Sequence, residues 1–296
     1  MPEAEDADRG RLLAAAFRLL GTTADAEDAV QEAYVRWFRL TPAEREAVRN
    51  VDAWFTTVVG RICLDVLGSA RARRERYTGE WLPEPRPGAD LPAAAAAADP
   101  AERVSLDDQV TSALMVVLES LTPAERVSFV LHDLFGLSFV EVAEVVGRTP
   151  QAARKLASEA RRDLRERRVR EASPADHERV VEAFLAACGS GRLDDLVAVL
   201  DPSVTLVTDG GGRAGMARRP VQGGDRVARF LFGIMAKIAR EGRVVEPSIE
   251  VVEGRAAIVL REPGAAPFVI MLNVVGEVVR DVWIQANPAK LGAWTS

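Results

Sequence analysis

The chain has 296 residues and a formal net charge of −6, with 38 Lys and Arg residues against 44 Asp and Glu residues. This length suits about two domains of ordinary size. The acidic balance excludes a wholly basic nucleic-acid binder, so any DNA contact must be confined to local patches. The N-terminus is acidic, unlike a signal peptide, and no apolar run approaches a membrane-spanning length. We therefore expect a soluble, cytoplasmic protein without a membrane partner.

The chain contains two cysteines, Cys63 and Cys188, which lie far apart in the sequence. They lack the C-x-x-C spacing typical of metal and redox sites, and they fit a reducing compartment. We interpret them as packed thiols. We expect no metal ion and no cofactor.

Helical periodicity runs from residue 9 to about residue 72, and a second long helix within it is predicted from Asp52 past Leu67. Residues 81–88 contain three prolines and cannot sustain a helix, and residues 93–98 are an alanine run. We interpret this stretch as a linker between two helical blocks. In the first block, an amphipathic segment places five apolar residues on one face: Val30, Ala33, Tyr34, Trp37 and Phe38.

The second block, residues 104–170, predicts four helices. Residues 122–125, Thr-Pro-Ala-Glu, combine a capping box with a proline at the first helical position. Ser138 and Glu141 form a second possible capping box, Gly147 can end that helix, and Thr149-Pro150 can start the next one. This layout is that of a helix-turn-helix.

The last helix of this block combines an apolar stripe with a basic outer face. Gln and Arg can each make two hydrogen bonds to a base edge in the major groove, which favours DNA readout. Residues 148–170 carry nine basic side chains against three acidic ones, and this surplus favours phosphate contact. The alternative is a solvated helix end whose arginines suit the helix dipole. The predicted stripe is Ala153, Leu156, Ala157, Ala160 and Leu164, and the predicted DNA-facing residues are Gln151, Arg154, Lys155, Ser158 and Arg162.

The pattern changes after Ser173-Pro174, where helices give way to mixed elements. Glu253-Gly254 and Gly276-Glu277 each supply a glycine where a tight turn between strands needs one. We expect a third domain of the α+β class over about residues 174–296. Its predicted helices are residues 177–188 and 193–200, and its predicted strands are residues 204–207, 249–252, 257–260, 268–274 and 278–284.

Residues 21–37, with the sequence Gly-Thr-Thr-Ala-Asp-Ala-Glu-Asp-Ala-Val-Gln-Glu-Ala-Tyr-Val-Arg-Trp, resemble region 2 of bacterial extracytoplasmic-function (ECF) sigma factors. The helix-turn-helix is similar to their region 4, so the resemblance spans about residues 9–170. It implies that an acidic helix docks on the clamp helices of core RNA polymerase, with Trp37 packing beneath. The alternative is an ordinary solvated acidic face. The residues implied for the dock are Asp25, Glu27, Asp28, Gln31 and Glu32.

The resemblance also implies a promoter-opening surface after the acidic helix. Opening requires bases to leave the stack, and a protein holds them with polar groups and a positive surface. We interpret Trp54 as a core residue, and Arg61 stands where many members of the family carry Asn. The arginines that follow would bind phosphates, unless they are a solvated helix end. The residues implied for DNA here are Asn50, Asp52, Arg61, Arg71, Arg73, Arg74 and Arg76.

Residues 77–85, Tyr-Thr-Gly-Glu-Trp-Leu-Pro-Glu-Pro, and residues 209–213, Asp-Gly-Gly-Gly-Arg, resemble the ECF subgroup with a C-terminal SnoaL-like domain. The subgroup usually ends with Asn-Pro-Asp-Lys-Leu, where this chain has Ala289 in place of Asp. The resemblance implies an intramolecular switch in which the appended domain packs against the linker and the sigma domains. The implied regulatory residues are Trp81, Leu82, Pro83, Glu84, Pro85, Asp209, Gly210, Gly211, Gly212, Arg213, Asn287, Pro288, Lys290 and Leu291.

The resemblance predicts a multidomain protein: two all-α sigma domains, a region 2 helical bundle and a region 4 helix-turn-helix, and then a C-terminal α+β SnoaL-like cone. The implied function is an RNA polymerase sigma factor that binds core RNA polymerase and directs transcription initiation at promoter DNA, modulated by its own C-terminal domain. The expected boundaries are residues 1–80 for region 2, 81–103 for the linker, 104–172 for region 4 and 173–296 for the SnoaL-like regulatory domain.

Two other functions stay open. A SnoaL-like cyclase or isomerase fused to a DNA-binding module needs a positioned acid-base pair, for which Asp209, Glu250 or Asp281 could supply a base. The two histidines, His132 and His177, make a histidine-centred site in the cone a poor candidate, so we expect no enzymatic activity and no catalytic residues. A helix-turn-helix repressor would not need the acidic segment. A small ligand in the cone is also possible.

Overall fold

The structure, a computed structural model, describes residues 8–74, 80–88, 115–116, 118, 121–168, 172–212 and 216–294. For residues 70–74 and 165–168 it describes the backbone alone. The described chain forms two compact units. The helical unit contains residues 8–74 and 115–166, and the α+β unit contains residues 80–88 and 167–294 as far as these are described. Among the predicted site residues, Arg76 and Arg213 lie outside the described ranges.

Seven helices of the helical unit have described bounds. They begin where the sequence offers caps: the capping boxes at Thr122 and Glu125 and at Ser138 and Glu141 are both present. A third capping box joins Thr41 to Glu44. The helices are α1 (Arg9–Leu20), α2 (Thr23–Arg39), α3 (Pro42–Ala47), α4 (Val51–Arg74), α5 (Pro123–Phe129), α6 (Phe139–Val146) and α7 (Pro150–Arg168), with a π-helical turn at Val130–Leu134 between α5 and α6.

One hydrophobic cluster holds the helical unit together and includes both predicted helical blocks. Phe55 of α4 and Phe129 of α5 are both fully buried in it. Arg126 of α5 is buried as well, and its Nε and Nη2 donate to the carbonyl of Arg18 in α1 at 3.2 and 3.0 Å. The two blocks therefore share a core, although the boundaries expected at residues 80, 103 and 172 stay predictions.

Gly60 lies where α4 packs closely against the second block. A Cβ at this position would lie 2.8 Å from Leu131 Cδ1 and 3.2 Å from Val145 Cγ1. Because Gly60 has no side chain, α4 can pack directly on the π-helical turn and on α6.

The α+β unit is a six-stranded sheet covered by helices. The strand order is β2-β1-β6-β5-β4-β3, and β1 and β6 are the parallel pair among otherwise antiparallel neighbours. The elements are α8 (Pro174–Ser190), α9 (Leu193–Val199), β1 (Leu200–Asp209), β2 (Val221–Gln222), α10 (Gly224–Arg240), β3 (Glu246–Val252), β4 (Arg255–Arg261), β5 (Phe268–Val275) and β6 (Val278–Gln285), and 3-10 turns follow at Pro288–Lys290 and Gly292–Trp294.

Both predicted hairpin turns are confirmed. Glu253 and Gly254 have φ values of 48° and 74°, and Gly276 has a φ of 63°. The two consecutive positive φ values of Glu253 and Gly254 suit a type I′ turn, and a positive φ at Gly276, the first turn residue, suits a type II′ turn; both types match the twist of the flanking strands. These turns fix the pairing of Val252 with Arg255 and of Val275 with Val278.

Helix α10 was absent from the elements that the sequence predicts. It follows Gly223, which provides no side-chain cap, and it starts at Gly224 and contains Gly233. Sequence rules place helix starts at capping side chains and penalise internal glycine, so the start signal was missing. The helix forms because its apolar residues, including Val227 and Leu231, are buried in the core of the α+β unit. None of the described helices is long and apolar enough to span a bilayer.

Candidate polymerase-, DNA- and linker-binding surfaces

Helix α2 turns an acidic face to solvent. Asp25, Glu27, Asp28 and Gln31 are exposed, whereas Glu32 is half-buried. The Asp25 carboxylate accepts a 2.6 Å hydrogen bond from the Thr22 hydroxyl at the helix start, and Glu32 pairs with Arg36 at 2.9 Å. Glu27, Asp28 and Gln31 are therefore the residues of this set most available to a partner.

Two apolar side chains extend the same exposed face. Val35 is 40% exposed and Phe38 is 62% exposed. The sequence pattern predicts one apolar face for Trp37 and Phe38, but Phe38 lies about 100° further round the helix, at the edge of that face, and is exposed. The Arg45 guanidinium lies over the Phe38 ring at 5.8 Å and donates to the Phe38 carbonyl at 2.8 Å.

Trp37 and Trp54 belong to the core, as expected. Trp37 is 1% exposed, and its ring lies 5.0 Å from Trp54 and 5.4 Å from Phe55. Trp54 is half-buried and packs edge-on against Phe55 at 5.1 Å. These aromatic contacts fix the position of α2 on α4.

Of the residues implied for promoter opening, Asn50 directly precedes α4, and Asp52, Arg61, Arg71, Arg73 and Arg74 belong to it. Asn50 is exposed and caps the helix by accepting a hydrogen bond from the Ala53 N–H at 3.0 Å, while Asp52 accepts one from the Asp8 N–H at 3.3 Å. Arg61 is exposed and donates to the Glu144 carbonyl of α6 at 3.2 Å. Arg71, Arg73 and Arg74 lie in the last turns of α4, where the backbone alone is described.

The helix-turn-helix consists of α6 and α7. Gly147 adopts a left-handed conformation with φ of 63° and returns a hydrogen bond to the Ala143 carbonyl. Thr149 Oγ accepts a hydrogen bond from the Ala152 N–H at 3.2 Å, which starts α7. The predicted stripe faces inward: Ala153, Ala157, Ala160 and Leu164 are buried and Leu156 is half-buried.

The outer face of α7 carries all five predicted DNA-facing residues in exposed positions: Gln151, Arg154, Lys155, Ser158 and Arg162. The Arg154 guanidinium lies over the Phe139 ring at 5.1 Å, which restrains its position. Arg161 differs from these because it forms a two-bond ion pair with Asp133 at 2.6 and 3.1 Å. The basic surplus counted along the sequence therefore overstates the charge that α7 presents.

In the α+β unit, the linker segment 81–85 lies against the ends of β1 and β6. Leu82 is 2% exposed, and Pro83 and Pro85 are buried. The Leu82 N–H donates to Asp209 Oδ2 at 3.0 Å. The backbone of this proline-broken segment thus finds its partners in side chains rather than in a helix or sheet.

The buried ion pair of Lys290 and Asp209 also binds this segment. Lys290 Nζ donates to Asp209 Oδ2 at 2.7 Å and to the Leu82 carbonyl at 2.6 Å, and it lies 3.8 Å from the centre of the Trp81 ring. Asp209 is fully buried and Lys290 is 7% exposed. Lys290 is the lysine of the family motif, and Ala289 replaces the usual aspartate before it.

Two residues that the sequence reading missed complete the contact. Gln285 Nε2 donates to the carbonyls of Leu82 and Pro83 at 3.2 and 3.1 Å. Trp294 Nε1 donates to the Pro85 carbonyl at 2.8 Å. Gln285 is a polar residue between Ile284 and Ala286 at the end of an apolar strand, and this pattern is the sequence signal that could have identified it.

The last residues of this linker segment pair with β3 at the edge of the sheet. Pro87 and Gly88 form bridges to Val252, and the Gly88 N–H donates to the Val251 carbonyl at 2.8 Å. In return, the Glu253 N–H donates to the Arg86 carbonyl at 3.1 Å. Residues 81–88 therefore contact the ends of β1 and β6 and the edge strand β3, all of which lie more than 100 residues later in the chain.

The glycine loop after β1 packs on the C-terminal turn. Gly211 has a φ of 60°, and a Cβ there would lie 2.5 Å from Asn287 Oδ1. Asn287 Oδ1 also accepts the Ala289 N–H at 3.1 Å, while Gly210 and Leu291 are buried and Pro288 is exposed. Glycine is required at 211 by both its conformation and this contact.

The predicted candidate bases of the α+β unit are each engaged elsewhere. Asp209 binds Lys290, Asn273 Nδ2 donates to Asp281 at 2.8 Å, and Glu250 pairs with Arg261. The hydrogen bond from Arg261 is the largest of the effects that lower the pKa of Glu250.

His177 is buried, and its Nε2 donates to the Leu272 carbonyl at 3.0 Å. Burial lowers the pKa of His177 below its ordinary value of 6.5, so the neutral ring is favoured. Cys63 and Cys188 are free thiols, and burial raises the pKa of Cys188 to about 12. These groups fit a structural role.

Family comparisons agree with this geometry. Residues 6–74 match the Sigma-70 region 2 family and residues 111–164 match the Sigma-70 region 4 family. The chain is 41% identical over 295 residues to the ECF RNA polymerase sigma factor SigJ of Mycobacterium tuberculosis, which covers 96% of this chain and 91% of that protein. It is 42% identical over 224 residues to the probable ECF sigma factor SigI of the same species, covering 75% of this chain and 72% of that protein.

The crystal structure of M. tuberculosis SigJ superposes with a TM-score of 0.71 at 38% identity and covers 96% of both chains. The match therefore extends over the helical sigma regions and the C-terminal α+β domain, and it confirms the expected fold class. Sequence, fold and surface agree that this chain belongs to the extracytoplasmic-function family of RNA polymerase sigma factors.

Proposed function

We propose that the exposed face of α2 is the surface that binds core RNA polymerase. Its polar part is the carboxylates of Glu27 and Asp28 with the amide of Gln31, and its apolar part is Val35 and Phe38. An acidic face pairs with basic groups on a partner, and an exposed aromatic at its edge supplies apolar area that is buried on binding. The exposure of Phe38 beside these carboxylates is the observation that carries the proposal.

Helix α7 is proposed to read promoter DNA through Gln151, Arg154, Lys155, Ser158 and Arg162. A helix-turn-helix inserts its second helix into the major groove, and the exposed guanidinium of Arg154 can bind a base edge. Lys155 is proposed to bind a phosphate; its side chain is 77% exposed and its ion pair with Glu159 is long at 3.8 Å, which supports this role. Arg161 is assigned to structure because of its ion pair with Asp133.

Asn50, Asp52 and Arg61, together with the arginines that end α4, are proposed to contact opened promoter DNA. The exposed positions of Asn50 and Arg61 support this role. Arg61 Nη2 donates to the Glu144 carbonyl, and the guanidinium has further N–H donors that could bind a phosphate.

The α+β domain is proposed to regulate the sigma regions by holding the linker. The support is the set of contacts that Asp209, Gln285, Lys290 and Trp294 make with residues 81–85. A linker fixed in this way has fewer conformations, and this restriction limits the arrangements open to the helical regions on either side of it.

Binding, rather than catalysis, is the proposed role of this domain. A cyclase or isomerase needs an acid or base in its cavity. Among the described residues that line the cavity between α8, α10 and the sheet, none is Asp, Glu or His. Asp209, Glu250 and Asp281 lie outside this lining and have partners of their own.

Titration of the full chain against core RNA polymerase tests the polymerase surface. Asp28→Ala is expected to weaken polymerase binding without changing affinity for duplex promoter DNA. Glu277→Ala, which removes an exposed carboxylate from the α+β domain, is the matched control and should leave polymerase binding unchanged. A wild-type chain that does not associate with core polymerase would refute the proposal.

The DNA surface is tested by a variant that should lose promoter binding and keep polymerase binding. Arg154→Ala is expected to weaken promoter binding by about 1–3 kcal/mol, through loss of its contact with a base edge, and to leave polymerase binding intact. Arg226→Ala, which removes an exposed arginine of α10, serves as the charge-matched control. Equal losses for Arg154→Ala and Asp28→Ala on both assays would contradict the division.

Transcription by chains with and without residues 174–296 tests the regulatory role. A change in promoter-dependent initiation is expected on removal, because Leu82 and the following prolines lose the partners that hold them. Identical transcription by both chains would show that the domain has no regulatory role.

A further inference from the structure

The α+β domain contains a cavity of about 440 Å³ between α8, α10 and one face of the sheet. Its walls include Phe184 of α8, Met235 and Ile238 of α10, Phe268 of β5 and Ile284 of β6. This volume lies within the range of about 300–1,000 Å³ that is typical of small-molecule sites.

The chemistry of the wall restricts what the cavity can hold. Among its described residues, Arg243 is the one with a charged side chain. Its guanidinium already forms hydrogen bonds with two carboxylates. Arg243 Nε donates to Glu262 at 2.7 Å and Nη1 donates to Glu241 at 3.4 Å. A charged ligand would lose its hydration in this cavity and would meet no unpaired counter-charge.

The sulfur atoms of the wall add adaptability without reactivity. Met216 and Met235 are flexible and polarizable, so they can adjust to an apolar guest. Burial raises the pKa of the Cys188 thiol to about 12, which keeps it protonated and poorly nucleophilic. The wall therefore favours reversible binding over covalent capture.

We propose that the α+β domain of this sigma factor binds one uncharged, predominantly apolar small molecule in this cavity. The biological meaning of this site rests on the regulatory role proposed above, but the binding itself does not. An apolar side chain from a second copy of the chain is the competing occupant, and the test below separates the two.

The test measures uptake of the neutral, environment-sensitive fluorophore N-phenyl-1-naphthylamine by the full chain. Saturable fluorescence enhancement with one probe per chain is expected. Dodecanol should displace the probe, whereas dodecanoate at pH 8 should be at least tenfold less effective because its carboxylate has no counter-charge in the wall. Absence of saturable uptake, or equal displacement by both competitors, would overturn the proposal.

Two tryptophan substitutions on α10 locate the site. Ala236 and Ala239 are both exposed, but Ala239 lines the cavity and Ala236 does not. Ala239→Trp should obstruct the cavity and weaken probe uptake at least tenfold, while Ala236→Trp should bind as the wild-type chain does. Met235→Trp provides a second filling variant if Ala239→Trp fails to fold by circular dichroism. Equal uptake by all folded variants would place the probe elsewhere.

Sedimentation velocity at the same concentrations tests whether a second copy of the chain, rather than a small molecule, occupies the cavity. The proposal expects monomer content to be the same for wild type and Ala239→Trp. Loss of self-association in Ala239→Trp, with no change in probe uptake, would assign the face to contact between copies. Probe binding and the effect of removing residues 174–296 on transcription are separate readouts, so the failure of one does not imply the failure of the other.

Discussion

At the scale of single residues, Lys290 shows how one buried charge joins distant parts of the chain. Its ammonium group contacts the carboxylate of Asp209 at the end of β1, the carbonyl of Leu82 and the ring of Trp81. A buried charge is costly unless it is paired and hydrogen-bonded, and here every contact of Lys290 supplies compensation. The linker is thus part of the environment that makes the ion pair stable.

This arrangement predicts strong coupling between Lys290 and Asp209. Lys290→Met should destabilise the α+β domain by about 3–5 kcal/mol, because it leaves the buried Asp209 carboxylate without its cation. The double variant Lys290→Met with Asp209→Asn should recover part of this loss. Urea unfolding of the full chain, with hydrogen exchange on β1 and β6 to identify the domain, measures both. Additive losses in the double variant would contradict the coupling.

His177 predicts how the stability of the α+β domain depends on pH. Burial lowers its folded-state pKa below the ordinary value of 6.5, so the unfolded chain binds the proton more tightly. The contribution is complete above about pH 6.5 and is lost as the pH falls towards the folded-state pKa. Melting temperatures measured between pH 5 and pH 8 should fall on the acid side, and His177→Gln should flatten that slope. An unchanged slope in His177→Gln would rule out this assignment.

At the scale of elements, α2 presents one face to the core and another to a partner. Its inner face is set by Ala26, Ala29, Val30, Ala33 and Trp37, which are all buried. Its outer face combines carboxylates with two apolar side chains that the helical unit leaves exposed. An exposed aromatic beside charges has the features of an interface anchor.

Phe38 is therefore predicted to contribute more to polymerase affinity than an isolated apolar residue does. Phe38→Ala should weaken binding of core polymerase roughly tenfold, which corresponds to about 1.4 kcal/mol. Val244→Ala is the control because Val244 is 65% exposed but lies in the α+β domain. Fluorescence anisotropy titration of labelled chains against core polymerase compares them. Similar affinities for the two variants would remove Phe38 from the surface.

The contact of α4 with the second helical block depends on Gly60. Gly60→Leu should destabilise the helical unit by about 1–3 kcal/mol, since its side chain would have to displace Leu131 and Val145. Gly68→Leu on the same helix should be neutral or slightly stabilising, because nothing lies within 4 Å of a Cβ at that position and leucine is the better helix former. Thermal unfolding of both variants provides the comparison. Equal stabilities would show that the two blocks do not depend on this contact.

At the scale of the whole α+β domain, the cavity and the linker contact share strand β6. Ile284 lines the cavity, and its neighbour Gln285 holds the carbonyls of Leu82 and Pro83. Successive residues of a strand point to opposite faces, so one strand serves both sites. A ligand that stabilises β6 therefore acts on the residues that retain the linker.

Hydrogen exchange of residues 82–88 tests this connection. Saturation of the cavity with N-phenyl-1-naphthylamine should slow exchange of the Leu82 and Gly88 amides, because a ligand that binds the folded domain makes its opening less frequent. The Ala239→Trp variant should show no response to the probe. Slowed exchange in β6 without any effect on residues 82–88 would separate the cavity from the linker.

The sequence alone determined the local features whose causes are local. Capping boxes at Ser138 and Thr122, the left-handed Gly147 and the hairpin glycines all follow from backbone geometry, and each is present. The motif of α2 and the helix-turn-helix likewise identified the family. These features depend on residues within a few positions of one another, so a reading of neighbouring residues is sufficient.

Only the tertiary structure decided which side chains meet across long stretches of chain. It separated Arg161, which pairs with Asp133, from the exposed Arg154, and it placed Phe38 outside the core. It also revealed Gln285 and Trp294, which hold a linker about 200 residues away. Burial and pairing depend on how elements pack in three dimensions, and helical or strand periodicity carries no information about a partner that distant in sequence.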